Sequence, residues 1–163
     1  MCIRDRDSIS DPLGPRTSFR CSEFGILCDG LPIGREPREL DPAGGALECT
    51  PQGATAPGAS DYLWHPDVFV EFLRTLKPLD PQLIMVAAIV GDPDPVAISL
   101  DADGFPKLDA SCTSGHGDAT PGVRFKYFLD QFPERNTFTS ICNADLAVAL
   151  TQVAELLART IGP

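Results

Sequence analysis

Leu83-Ile84-Met85-Val86-Ala87-Ala88-Ile89-Val90, set between Pro81 and Gly91, is an apolar run with no polar alternation. Alternation marks a strand with one wet face, so a run without it predicts a strand covered on both faces, as in a parallel sheet. A buried helix would be longer. Upstream, Pro66 suits the first position of a helix and Asp67 and Glu71 favour its positive end, while Val68, Phe69, Phe72, Leu73 and Leu76 form one apolar stripe. The spacing predicts an amphipathic helix that ends before Pro78.

Downstream, Asp92-Pro93-Asp94-Pro95 leads into two β-prone runs, residues 96–100 and 105–108, around Asp101-Ala102-Asp103-Gly104. An Asp-Gly turn between such runs predicts a hairpin excursion. Thr120 as cap and Pro121 at the first position open a second helix through residue 132, with Val123, Phe125, Tyr127, Phe128, Leu129 and Phe132 as its apolar face. Residues 137–142 form a second strand. Asn143 caps the last helix, whose Leu146, Ala149, Leu150, Val153, Leu156, Leu157 and Ile161 hold helical spacing up to Gly162. The order helix, buried strand, hairpin, helix, strand, helix predicts parallel pairing with right-handed crossovers in a layered α/β domain.

Residues 8–63 show neither period. Prolines and glycines from Pro12 to Gly58 interrupt them throughout, so they read as a long ordered loop with a short strand at residues 18–21 or 25–27. Cys21, Cys28 and Cys49 are suitable staples. The competing reading, a disordered linker, has against it three cysteines together with Phe19, Phe24, Ile26 and Leu27.

The chain has 163 residues, room for one domain, and a net charge of −10. Nucleic-acid phosphates call for clustered Lys and Arg, so this balance speaks against such a partner. No apolar run approaches the roughly 18 residues that span a bilayer. Among the six cysteines, at 2, 21, 28, 49, 112 and 142, no two are separated by two residues, which removes zinc-ribbon, thioredoxin-type and haem-attachment spacings. Disulfides formed in an oxidising, extracellular or envelope compartment are favoured over buried free thiols. Yet the first ten residues lack the apolar core of a signal peptide. Met1-Cys2-Ile3-Arg4-Asp5-Arg6 instead resembles a translated adapter sequence of environmental sequence assemblies. Residues 1–7 are therefore expected to be non-native, and the chain to start inside a truncated bacterial domain. Five native cysteines would leave one partner on the missing part.

Catalytic signals are weak. Asp101-Ala102-Asp103-Gly104 begins like a calcium loop but lacks the third oxygen ligand and the closing Glu, so a plain turn is preferred. Ser114-Gly115-His116-Gly117 lacks the glycine spacing of a nucleophile elbow and reads as a flexible loop. His65 reads as a capping or surface group, and Asp92 with Asp94 as turn residues at a strand end. No glycine-rich phosphate loop occurs.

Residues 83–91, the helix over 121–132, and Phe138-Thr139-Ser140-Ile141-Cys142 followed by Asp145-Leu146 together resemble the C-terminal half of secreted von Willebrand factor A (vWA)-like proteins of myxobacteria and relatives. Leu13-Gly14-Pro15, Ser18-Phe19-Arg20-Cys21, Phe24-Gly25 and Cys28-Asp29 resemble the cysteine-bearing loop of those proteins. The resemblance implies a partial doubly wound, Rossmann-like three-layer sandwich over residues 64–163, the disulfide-bearing loop region over 8–63, and a role in protein binding or cell adhesion. It also implies a divalent cation for the full-length family. The metal-binding serine loop matches no position here, so no metal ligand, catalytic residue or cofactor residue is assigned. The partner implied is an unidentified protein or cell-surface ligand. The alternative is a fragment of a secreted α/β hydrolase-like enzyme with its catalytic residues on the missing half; fold alone does not separate the two.

Parallel strands end at a common edge, and this topology predicts a disulfide between Cys112, on the return from the excursion, and Cys142, at the end of its strand. Cys28 with Cys49 is the second expected pair, which leaves Cys21 for an outside partner.

Overall fold

The computed structural model describes residues 19–39, 48–56 and 62–162. The adapter-like residues 1–7, Cys2 and Leu13-Gly14-Pro15 lie outside them. In chain order the elements are α1 (Phe19–Glu23), β1 (Ile26–Cys28), β2 (Leu31–Pro32), β3 (Arg38–Glu39), β4 (Cys49–Pro51) and α2 (Pro66–Leu76). A single 3₁₀ turn (Pro81–Leu83) leads to β5 (Val86–Val90), β6 (Ala97–Leu100), β7 (Pro106–Leu108), β8 (Cys112–Ser114) and β9 (Gly117–Ala119). Then follow α3 (Val123–Asp130), β10 (Asn136–Ser140) and α4 (Ala147–Ile161). The fold is mixed α/β, with its strands in four small sheets: β2-β1-β4, β10-β5, β3-β6-β7 and β8-β9. The β10-β5 pair is parallel, with Val86 opposite Asn136 and Val90 opposite Ser140.

This pair has helices on both faces. Val86 packs against the buried cluster of Val70, Ile84 and Phe132, on which Phe128 of α3 also packs. On the neighbouring strand, the buried Thr139 donates its hydroxyl to Gln152 Oε1 of α4 at 2.8 Å. Thr139 stands opposite Ile89, three residues from Val86, and side chains alternate along a strand. The two contacts therefore lie on opposite faces.

The run 83–90 behaves differently from its reading as a strand covered throughout. Leu83 belongs to the 3₁₀ turn, where Asp80 Oδ1 accepts the Gln82 N–H, and along β5 half-buried residues alternate with the exposed Ala87 and Ile89. The physical reason is that α4 packs on β10 and leaves the Ala87 and Ile89 face of β5 largely bare. Among the described residues β5 also has β10 as its one neighbour, so its other edge is open there.

Residues 8–63 supply more regular structure than a loop. β1 pairs antiparallel with β2 and β4, and residues 19–23 are helical. Phe19, Ile26, Cys28 and Ile33 join Val96, Ile98 and Val123 in one buried cluster, so this segment shares a core with the excursion. Arg35 grips Glu23 through Nε and Nη2, at 2.7 and 3.0 Å, and ties α1 to the chain after β2.

Both helix starts lie further along the chain than their expected caps. α3 begins at Val123 with Gly122 at the cap position, not Thr120. The Gly122 N–H donates to the Asp92 carbonyl, and a Cβ on Gly122 would stand 2.5 Å from the Gly91 carbonyl oxygen. The close approach of strand end and helix start thus sets the boundary. α4 begins at Ala147, whose N–H is taken by Asp145 Oδ1 at 2.8 Å, while Asn143 is held by a bond from its N–H to the Ser140 carbonyl.

Candidate functional site

The cysteines at the expected pairs are joined. Cys112 and Cys142 have Cα atoms 6.0 Å apart and fasten the β8-β9 hairpin to the chain just after β10. Cys28 and Cys49 are register partners across β1 and β4, and form the other bridge. Cys21 is disulfide-bonded as well.

The motifs weighed for chemistry are occupied by their own turns. Asp101 Oδ1 accepts the N–H groups of Asp103 and Phe105 at 3.0 and 2.9 Å, and Gly104 takes a φ of +81° in this hairpin turn between β6 and β7. The 114–117 stretch is a tight hairpin instead of a loose loop: Ser114 Oγ accepts the His116 N–H and donates to the Gly117 carbonyl. The two strands are three residues each, too short to leave a period in the sequence. Among the described residues no group of His, Cys, Asp and Glu is placed to hold a metal ion. The divalent cation implied by the resemblance thus finds no fitting ligand set there.

His65 is a cap. Its Nδ1 accepts the Asp67 N–H at 3.3 Å at the start of α2, and Asp67 Oδ1 accepts the Tyr127 hydroxyl of α3 at 3.0 Å. Burial, and then the bond to Asp67, pushes the Tyr127 phenol above its ordinary value. A raised pKa in the folded state means that the contact stabilises fully below about pH 10 and is lost as pH rises through the folded value. Tyr127→Phe is therefore expected to cost about 1 kcal/mol near neutrality, with the gap to the native protein closing above about pH 10. Urea titrations of both proteins from pH 7 to 11 check this.

Between α2 and α3, beside the open edge of β5, lies a groove of about 530 Å³. Phe69 and Phe72 of α2, Phe125 and Phe128 of α3, and Ala88 and Val90 of β5 form most of its wall. Phe72 is 59% exposed and Phe125 40% exposed, so the wall is open to solvent. Arg124 also lines the groove. Its Nη1 donates to the carbonyls of Gly25 at 2.8 Å and Gln52 at 2.6 Å, and its Nη2 to the carbonyl of Trp64. Burial lowers its pKa, yet an arginine remains charged in water-accessible pH ranges. Sequence reading treated residue 124 as one more position on a helix. The signal that marks it is a lone arginine within the Val123 to Phe132 apolar face.

The hydrogen-bond ladder defines the edge. The Val86 N–H donates to the Arg135 carbonyl and the Val90 carbonyl accepts from the Ile141 N–H, so Val86, Ala88 and Val90 direct their backbone groups to β10. By the strand's period of two, those of Ala87 and Ile89 point to the open side. Among the described residues none pairs with them. Comparison of the chain with protein-family models, curated proteins and solved structures finds no match.

Proposed function

We propose that this chain is an extracellular or envelope-associated interaction module of vWA type, part of a doubly wound α/β domain, which binds an extended protein segment along β5. The observation that carries the reading is the open edge of β5 in a parallel pair with helices on both faces. Parallel strands occur almost only in sheets covered and extended on both sides, and native edges are usually blunted by Lys, Pro or a bulge. Residues 86–90 hold none of these devices. Strand addition satisfies the outward groups of Ala87 and Ile89 and continues the sheet in the direction a doubly wound fold requires. The disulfides, and the lack among the described residues of a helix long and apolar enough to cross a membrane, are compatible with an exported protein. Binding, in preference to catalysis, is supported by the use of Asp101, Ser114 and His65 as turn and cap groups.

The test is a selection of random peptides against the oxidised chain, followed by binding to an Ile89→Pro variant. Proline at 89 removes an outward N–H and leaves the bonds to β10 in place. Selected peptides are expected to alternate apolar residues and to lose about tenfold or more of their affinity for the variant. Peptides that bind the variant as well as the native chain would overturn the reading.

A further inference from the structure

We infer that the groove between α2 and α3 is a binding site for a long-chain aliphatic carboxylate, with the phenylalanine wall taking the chain and Arg124 the head group. The volume, about 530 Å³, lies within the range of small-ligand clefts, roughly 300 to 1,000 Å³, and the wall is almost wholly apolar. Such a wall selects an apolar body. Arg124 then selects the head.

A guanidinium carries five N–H donors. At Arg124 three of them go to carbonyl oxygens, which satisfy the hydrogens and leave the charge unneutralised. Among the described residues no carboxylate bonds to it, and Nε–H and one hydrogen on Nη2 have no acceptor. A partly desolvated cation with spare donors gains most from an anion that brings its own apolar body into the cleft. The first turn of α3, where Arg124 sits, holds no acidic residue and no side-chain cap, so the helix dipole adds positive potential there. One cation suits a single negative charge. A doubly charged head would bury one charge without a partner.

The wall also argues against a peptide as the occupant. Amides need partners along their length, and phenylalanine faces supply none. The extended segment proposed for β5 uses the outward groups of Ala87 and Ile89, and Ile89 takes no part in the groove wall. Ala87 borders both places, so the separation rests on Ile89, which serves the edge alone.

The experiment titrates the full oxidised chain with dodecanoate, dodecanol and dodecylammonium below their aggregation concentrations. Heat and the fluorescence of Trp64, the chain's one tryptophan, whose carbonyl Arg124 holds, report binding. The expected result is saturable one-to-one binding of dodecanoate, about tenfold or more tighter than dodecanol, with dodecylammonium weakest. Phe72→Glu places a carboxylate at the exposed rim and is expected to weaken dodecanoate by a similar factor without lowering thermal stability. Ile89→Pro is expected to bind dodecanoate as the native chain does. Lack of saturation, equal affinity for the alcohol and the acid, or full affinity in a stably folded Phe72→Glu variant would each overturn the assignment. Loss of dodecanoate binding in a folded Ile89→Pro variant would also overturn it, because the ligand would then sit on the edge.

Discussion

Arg124→Leu is expected to destabilise the protein by about 3 to 5 kcal/mol. The substitution keeps the apolar stem that packs beside Gly25 and removes the guanidinium alone. The carbonyl oxygens of Gln52 and Trp64 then lose this donor, and that of Gly25 keeps only the Gln52 N–H at 2.9 Å. Each belongs to a different stretch: the turn before β1, the residue after β4, and the approach to α2. Arg124 is thus the joint between the antiparallel β1-β4 unit and the α2-α3 pair. A buried polar group left unpaired costs about 1 to 3 kcal/mol, and water reaching the half-buried site keeps the sum below two full penalties at the upper end of that range. With total stabilities of about 5 to 15 kcal/mol typical of domains, this is a large share. Urea denaturation measures it. A loss under about 1 kcal/mol would show that these carbonyls find other donors.

The second large effect is expected from Cys112→Ser with Cys142→Ser. The pair is 30 residues apart, and the chain-entropy model gives about 3 to 4 kcal/mol for closing a loop of that size. Serine at both positions removes the link with little change in volume. The β8-β9 hairpin is expected to suffer first, because it is a two-stranded sheet and such a ribbon is marginal by itself. Thermal unfolding of the double variant is the check, with peptide mapping under non-reducing conditions as the control on the native chain. A midpoint unchanged from the native protein would mean that β10 and the hairpin stay docked without the bridge.

The regular α/β part was legible because its elements carry strong local signals. Pro66 and the stripe from Val68 to Leu76 describe α2 closely, and the Leu/Ala spacing describes α4 from Ala147 to Ile161. The run 83–90 announced a strand but not its surroundings. Apolar residues without alternation imply cover on both sides, and an open edge leaves no mark on the side-chain pattern. The starts of α3 and α4 were missed for a related reason: close packing of Gly122 on Gly91, and the Asn143 bond to Ser140, override capping preference. Strands of two or three residues have no room for a period: the strand expected at 25–27 is β1, the alternative at 18–21 falls on α1, and β2, β8 and β9 left no signal.

The candidate site was less legible than the fold. The pairing of Cys112 with Cys142 followed from topology, because strand ends and crossovers constrain where the chain returns. The groove did not. It depends on which faces of α2 and α3 the sheet leaves uncovered, and Phe72 and Phe125 look like core residues in the sequence. Arg124 was hidden too, since its acceptors are backbone carbonyls far away in the chain.

Binding of an extended segment along β5 requires a strand paired on one side and open on the other. Native-state hydrogen exchange of the oxidised chain, read residue by residue, tests this most directly. Amides of Val86, Ala88 and Val90 are expected to exchange roughly a hundredfold more slowly than those of Ala87 and Ile89. Equal protection along residues 86–90 would contradict the open edge, and with it the proposed binding of an extended segment along β5.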